Sequence, residues 1–452
     1  MPYRHTCLAL LLVLGFPLRL WAAPCADAVH ANCLADEIAA YQEAAQDVFE
    51  RQRIGMSLAR AQLAAGLADE AKRTIGELEQ PWQQAAFLAD EAAYLLTREN
   101  KRDALASLRR ANELLGSQTP VERLNHAGTD MRLARLMARA GEPLEGKALL
   151  DKLAQVRTRG MPMNAMMLAL MLQVAQAMAD IGYREEAAQL ARASFAQGFA
   201  DDMPVSPEQL FHLYSAWAKA DPGAAPRDDA TILARELEEE QSWLYAGVVW
   251  AGPATAPGTS RETAAGMLDN ARKALEKAPE RAAALPWQAR VAALLYQAGK
   301  TEQGQGVFED VRKQAQDLPE IESRMRVRFE LAKAQAAMGD TVGAARELRT
   351  LAEQSRQAKQ TTPAIRVIAM NTPAELARLG RADDAYELAM ADGAEGTREL
   401  AVFAAANRLA LRKDYAGALR FARAMPDAQA AMVMAAMAAR MAGLDAGDEA
   451  AP

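Results

Sequence analysis

Small and apolar residues recur along the chain at a spacing that predicts pairs of packed helices. A small residue is followed, after six intervening positions, by Gly or a polar residue, and after four more by a second small residue. The first small residue would lie on one helix, the central residue would end that helix, and the last would lie on the next helix. The pattern therefore predicts an all-α chain of helix-turn-helix units.

Eight copies of this pattern are spread through the sequence. They are Ala59, Gly66 and Ala71; Ala92, Glu99 and Ala104; Ala134, Gly141 and Gly146; Ala175, Gly182 and Ala187; Ala292, Gly299 and Gly304; Ala332, Gly339 and Ala344; Pro373, Gly380 and Ala385; and Ala406, Lys413 and Ala418. Small side chains let two helices approach closely, and Gly adopts the left-handed conformation that ends a helix at no steric cost. Each copy thus predicts one helical hairpin.

Helix-start signals fall between these hairpins. Ser206 and Thr119 each precede a proline and have an amide or acid three positions later, which is the signature of a capped helix start. The sequence Thr372-Pro373 has the same form, but it lies where the first helix of a hairpin should be running. We therefore expect that helix to be split or kinked near Asn371.

The central turn residues lie 33 to 42 residues apart where they are consecutive, and this chain resembles the tetratricopeptide (TPR) superfamily over residues 50 to 442. The resemblance implies a right-handed α-solenoid of helix-turn-helix repeats. It implies an N-terminal array at 24–250, a C-terminal array at 261–442 and a polar tail at 443–452. The Pro- and Gly-rich loop 251–260 would form a hinge between the two arrays. The chain departs from the family by lacking the tryptophan of the first helix.

The N-terminus has the layout of a secretory signal peptide over residues 1–23. Arg4 precedes an apolar stretch, and the small residues Ala22 and Ala23 follow it. Pro17 and Arg19 interrupt the stretch before the ~20 apolar residues that a membrane-spanning helix requires. The sequence therefore predicts a periplasmic or secreted protein with no transmembrane segment in the mature chain.

The two cysteines that would remain after cleavage, Cys25 and Cys33, predict a disulfide in an oxidising compartment. On one straight helix they would lie ~12 Å apart, so the segment between them must turn back. Cleavage after Ala28 would instead leave Cys33 as a free thiol. Lipid anchoring at Cys25 is a rival possibility, and Pro24 argues against it because that position favours a small residue.

Charge and motifs exclude several functions. The net charge is −7, and the best basic stripe, Arg324, Arg326 and Arg328, is flanked by glutamates, which predicts a solvated helix face and no nucleic-acid binding. The histidines of the mature chain are widely separated, and no nucleophile elbow or phosphate-binding loop occurs. We therefore expect a non-catalytic protein with no cofactor and no metal.

Aromatic residues gather in the irregular middle of the chain. Trp217, Trp243, Trp250 and Trp287 lie there, and two interpretations compete. The rings fill core space where the repeats pack imperfectly, or they line a groove for a peptide or a glycan. Substituting Trp243 and Trp250 by alanine would distinguish loss of stability from loss of binding.

The last predicted helix is composed almost entirely of Ala and Met. A repeat array normally ends in a capping helix with a polar outer face, and this segment has none. Met434, Met437 and Met441 share one face at helical spacing. We hypothesise that they dock a partner, a second copy of the chain or the tail that begins at Asp445.

These features predict a periplasmic scaffold of the bacterial cell envelope that mediates protein-protein or peptide interactions, as repeat arrays do. Two alternatives remain open. One is a module that binds cell-wall glycan. The other is an accessory superhelix of a wall-active enzyme, similar to the helical ring of lytic transglycosylases without their catalytic domain.

Overall fold

The computed structural model describes residue 25 and residues 28–78, 80–116, 119–156, 164–200, 205–357, 362–391 and 395–444. All regular secondary structure in these residues is helical, so the all-α prediction is confirmed. The predicted signal peptide and the tail from Asp445 lie outside the described residues.

The helices of the described residues number 23. In chain order they are α1 (Ala31–Ala44), α2 (Val48–Ala64), α3 (Ala68–Gly76), α4 (Pro81–Thr97), α5 (Lys101–Gly116), α6 (Pro120–Asn125), α7 (Ala127–Ala140), α8 (Pro143–Val156), α9 (Ala165–Asp180), α10 (Arg184–Ala200), α11 (Pro207–Ala220), α12 (Ala225–Glu239), α13 (Trp243–Ala254), α14 (Arg261–Lys277), α15 (Arg281–Gln297), α16 (Thr301–Gln316), α17 (Ile321–Ala337), α18 (Thr341–Gln357), α19 (Pro363–Arg378), α20 (Ala382–Met390), α21 (Glu395–Leu411), α22 (Tyr415–Ala422) and α23 (Asp427–Met441).

All eight predicted turn residues have a left-handed backbone. The six glycines among them have φ between 79° and 104°, while Glu99 has φ 60° and Lys413 has φ 64°. The two polar residues thus occupy the position that the pattern assigned to them, although glycine is favoured there. Gln241, with φ 61°, forms a further turn of this kind between α12 and α13, which was not among the eight predicted ones.

The small residues on either side of these turns lie where two helices touch. A Cβ atom added to Gly146 would lie 2.6 Å from the carbonyl oxygen of Ala134, and one added to Gly304 would lie 2.6 Å from that of Ala292. A real Cβ does not approach an oxygen so closely, so these positions require glycine. The backbones of α7 and α8, and of α15 and α16, are therefore in direct contact.

One series of helices packs in succession through the whole molecule. We call α2, α4, α7, α9, α11, α13, α15, α17, α19, α21 and α23 the first row, because each contacts the next. The last first-row helix, α23, also packs against α1 and α2. The chain therefore closes on itself, and one apolar cluster joins Leu34 and Ile54 near the start of the chain to Met434 and Met437 near its end.

Two expectations about helix boundaries are corrected: the split of the helix near Asn371, and the start of the loop 251–260. The helix α19 runs through Pro373 without a break, and Thr372 Oγ1 donates a hydrogen bond of 2.7 Å to the carbonyl oxygen of Ile368 one turn earlier. The first four residues of the predicted loop 251–260 belong to α13, and Ala251 is buried. Apolar packing continues across this segment, because one cluster contains both Val249 and Leu268.

The two cysteines that were predicted to pair are close in space. Cys25 and Cys33 lie at disulfide distance, with their Cα atoms 5.2 Å apart.

Farther along the chain, Ser206 caps α11 as predicted: its hydroxyl accepts from Gln209 N, and the Gln209 side chain accepts from Ser206 N at 2.9 Å. These local signals could be interpreted from sequence because they involve residues only a few positions apart.

Candidate functional site

A cavity of about 610 Å³ lies on the first row, across α15, α17, α19 and α21, with α11 at its edge. We call it the first-row groove. It has an apolar floor and a charged border. Its lining residues are Glu208, Pro286, Trp287, Arg290, Arg326, Phe329, Glu330, Lys333, Pro363, Ala364, Val367, Ile368, Asn371, Ala374, Glu375, Ala404 and Arg408.

The apolar floor comes from side chains on three neighbouring helices, α15, α17 and α19. Trp287 and Phe329 are 8% and 9% exposed, so their rings mostly support the floor from below. Val367 on α19 is 51% exposed, and Ile368 beside it is buried. An exposed valine in the lining of a concave site offers apolar surface that a partner can cover.

A chain of ion pairs follows one border of the groove. Arg290 on α15 lies 3.0 Å from Glu208 on α11 and 3.5 Å from Glu330 on α17, and Glu330 in turn lies 2.9 Å from Lys333. The Arg290 guanidinium also stacks on Trp287, 4.4 Å from the ring centroid. These contacts hold the three helices in register and fix the Arg290 side chain.

Glu208 is strongly ionised. Burial alone would raise the pKa of its carboxyl, but hydrogen bonds and charge from His212 and Arg290 outweigh that effect and lower the pKa to about 2. A carboxyl with so low a pKa stays charged at neutral pH and has no proton to donate there. Its chemistry is that of an ion-pair partner.

Two arginines of the groove have a different environment. Arg326 on α17 is exposed and Arg408 on α21 is half-buried, and neither has an ion-pair partner among the residues that the structure describes. Arginine presents a planar fork of donors that fits a carboxylate. The groove therefore offers two cationic donors beside an apolar floor.

The four predicted tryptophans do not form one aromatic surface. Trp217 and Trp250 are buried, the former stacked on Phe195 at 4.4 Å and the latter donating from Nε1 to Glu238 Oε1 at 3.0 Å. Trp243 is half-buried beneath the Lys277 ammonium group, 4.4 Å from the ring centroid. Trp287 alone of the four lines the first-row groove. Because Trp217 and Trp250 are buried, they fill core space, as the first of the two interpretations expects.

The predicted methionine face on α23 is covered by the chain itself. Met434 and Met437 have no exposed area and belong to the apolar cluster that joins α23 to α1 and α2, while Met441 is partly buried against that cluster. The hypothesis placed these side chains on a free terminal face. The structure corrects this placement, because closure of the chain leaves α23 with neighbours on both sides.

The sequence did not single out the first-row groove, since its residues come from five helices that span 200 positions. The nearest signal is the spacing of Val367, Asn371 and Glu375 on α19, four residues apart and thus on one face. That face carries one valine among polar residues, and a single exposed apolar side chain is too common on protein surfaces to indicate a site.

Neither a metal centre nor a membrane span is evident in the described part of the chain. Within it, no three side chains of the ligating types come together in an arrangement that could hold a metal ion. None of its helices is both long enough and apolar enough to cross a bilayer.

Comparisons with known proteins give little. No protein-family model matches the chain, and no curated protein does. Among solved structures, the chain is similar to the crystal structure of Ton1535 from Thermococcus onnurineus NA1, with 13% identity and a TM-score of 0.30. That alignment covers 86% of this chain and 99% of the other.

Proposed function

We propose that this chain is a non-catalytic, TPR-like scaffold of the bacterial cell envelope, periplasmic after removal of residues 1–23, and that the first-row groove binds a peptide segment of a partner protein. The observation that carries the proposal is the combination of an apolar floor with two arginines that lack ion-pair partners among the described residues. A short segment with an apolar side chain near a carboxylate would satisfy both.

The right-handed solenoid is part of this proposal. Left-handed turns close helical hairpins, and first-row helices pack in succession, which is the arrangement that TPR-like repeats use.

The paired state of the groove carboxylates supports a binding role over a catalytic one. Glu208 and Glu330 are each paired with a neighbouring cation, and the lowered pKa of Glu208 leaves that carboxyl without a proton to donate at neutral pH.

A peptide fits the groove better than a glycan does. Sugar rings stack on exposed aromatic faces, and the two aromatic rings of the floor, Trp287 and Phe329, are less than a tenth exposed. Arg326 and Arg408 instead favour a negatively charged group. Binding of cell-wall glycan is therefore the second candidate, and pelleting with isolated wall material tests it separately.

Site-specific photocrosslinking tests the peptide proposal. A photoreactive amino acid replaces Val367 in the groove, and in a matched control it replaces Val342 on α18, which is 62% exposed and lies outside the groove. We expect adducts with a defined protein from Val367 in living cells and none from Val342. Equal labelling at both positions, or labelling only of wall material, would contradict the proposal.

A charge-reversal variant checks the same adduct. In Arg326→Glu/Arg408→Glu we expect the yield of the Val367 adduct to fall about tenfold or more, because two cationic donors become repulsive to a carboxylate. The control Arg102→Glu/Arg261→Glu changes two exposed arginines on α5 and α14 and should leave the yield unchanged. Circular dichroism verifies that both variants remain folded.

A further inference from the structure

A second cleft, of about 600 Å³, lies between α16, α17 and α18. We call it the arginine cleft, because Arg312, Arg324, Arg328 and Arg346 line it. It is separate from the first-row groove. Arg326 lines the groove whereas Arg324 and Arg328 line the cleft, since residues two apart on a helix differ in direction by about 200°.

The cleft has an excess of positive charge. Its lining contains four guanidinium groups and one carboxylate, that of Glu347. Glu347 already forms an ion pair with Arg328, whose Nη1 also donates to the Gln354 side chain at 2.6 Å. The remaining positive charge is therefore not balanced by another residue of the lining, and guanidinium groups that share a cleft repel one another.

Each arginine has spare donors. Arg324 is held from behind, because its Nη1 donates to the carbonyl oxygens of Leu318 and Pro319 at 2.5 and 3.0 Å. The hydrogens on its Nη2 and Nε have no acceptor among the described residues, so they are available to a ligand.

The other two arginines lie at more open positions. Arg312 has a long contact of 3.6 Å with Glu309 on its own helix. Arg346, on α18, has no ion-pair partner among the described residues. Phe308 and Leu331, both buried, form the apolar base beneath the four guanidinium groups.

We propose that the arginine cleft binds a compact anion that carries about two to three negative charges on paired oxygens, because its lining holds four guanidinium groups and one carboxylate, and only Arg312 has a further carboxylate nearby, that of Glu309. Guanidinium forks bind such oxygens two at a time, and the volume of the cleft is in the range of small-molecule sites. The oxygens come from phosphate or from carboxylate groups. This inference does not rest on the proposed function, because the two sites have no lining residue in common.

Calorimetric titration of the full chain at low salt tests the proposal, with pyrophosphate and citrate as the two probes. We expect at least one to bind with a stoichiometry of one, and more weakly at higher salt. Binding of pyrophosphate alone assigns the oxygens to phosphate, and binding of citrate alone assigns them to carboxylate. Failure of both probes to bind at millimolar concentration overturns the proposal.

Variants locate the binding. Arg312→Ala/Arg346→Ala removes the two guanidinium groups that make the fewest internal contacts, and we expect the dissociation constant to rise about tenfold or more. The control Arg102→Ala/Arg261→Ala removes the same charge from exposed positions on α5 and α14. Equal loss in both double variants would mean that only net charge matters and would overturn the site. Thermal unfolding confirms that each variant is folded.

Discussion

Glu37 and Arg423, separated by 386 positions in sequence, form a paired contact in which Arg423 Nε and Nη2 each donate to one carboxylate oxygen of Glu37 at 2.8 Å. The Glu37 side chain is 10% exposed and that of Arg423 is 37% exposed. The contact links α1 to the segment between α22 and α23. It therefore lies at the closure of the chain, beside the apolar cluster that contains Met434.

Breaking this pair should weaken the closure. For Glu37→Gln we expect the free energy of unfolding to fall by about 1 to 2 kcal/mol, because a charge-assisted, two-point hydrogen bond is lost at a partly buried site. A double-mutant cycle with Arg423→Gln, followed by urea denaturation, isolates the pair. The exposed pair Arg110 and Glu113 on α5 provides the control and should show coupling near zero. Equal coupling energies would contradict a special role at the closure.

Two methionines of α23 distinguish a core from a docking face. Met434 has no exposed area and Met432 is 45% exposed. We expect Met434→Glu to destabilise the chain by about 4 kcal/mol or more, because it buries an unpaired charge, and Met432→Glu to change stability by less than about 0.5 kcal/mol. Thermal and urea unfolding measure both. A folded, stable Met434→Glu variant that has lost only self-association would restore the docking hypothesis.

The sequence predicted the helices and their turns well, because those features depend on nearby residues. Glu99 and Lys413 were assigned to turns by spacing alone, and both have left-handed backbones. Gln241 fits the same pattern, with Ala234 seven positions before it and Ala246 five positions after it, but it was not among the eight predicted turns because its central residue is polar and the surrounding region looked irregular. Of the split or kink expected near Asn371, the split was wrong because α19 continues through Pro373 as one helix, and the kink stays a prediction.

The burial of Met434 could not be inferred in the same way. Closure depends on how the small rotations between successive first-row helices add up, and no single segment encodes that sum. The first-row groove also depends on the rotations between successive first-row helices. Val367 and Arg408 lie 41 positions apart on different helices, and their common orientation follows from packing between hairpins.

Two glycines of α16 test the close contact within a hairpin. A Cβ at Gly304 would lie 2.6 Å from the Ala292 carbonyl oxygen, whereas one at Gly306 would have no neighbour within 4 Å. We expect Gly304→Ala to destabilise by about 1 to 3 kcal/mol through overpacking, and Gly306→Ala to stabilise by up to about 1 kcal/mol through helix propensity. Urea denaturation measures both. The same sign of effect for the two variants would contradict the packing described for α15 and α16.

The disulfide should stabilise the N-terminal end of the closure. Cys25 and Cys33 enclose a short loop, for which the chain-entropy model gives about 2.5 kcal/mol. We expect Cys25→Ser/Cys33→Ser to lose roughly this amount and to lose hydrogen-exchange protection in α1 first. The oxidised and reduced wild-type chains provide the matched comparison. Unchanged protection in α1 after reduction would show that the loop does not anchor this helix.

The ion pair at the border of the first-row groove predicts a pH dependence of stability. The carboxyl of Glu208 has a pKa lowered to about 2 from its usual 4.5, chiefly because hydrogen bonds to His212 and Arg290 outweigh the effect of burial. Since the folded pKa lies below the unfolded one, its stabilising contribution is fully present above about pH 4.5. It is lost progressively as the pH falls towards 2.

The comparison of wild type with Glu208→Gln isolates this contribution from the other groups that titrate in acid. We expect the wild type to have the higher Tm at pH 6, and the difference to shrink steadily as the pH is lowered to 3. Glu302→Gln, at an exposed position on α16 outside the groove, should show a small difference at both pH values. A Tm difference for Glu208→Gln that stays constant over this range would mean that the carboxylate is not held by Arg290 and His212. The link between α11 and α15 would then depend on the contacts of Phe211, whose ring centroid lies 5.4 Å from that of Trp287 and 5.2 Å from the Arg290 guanidinium.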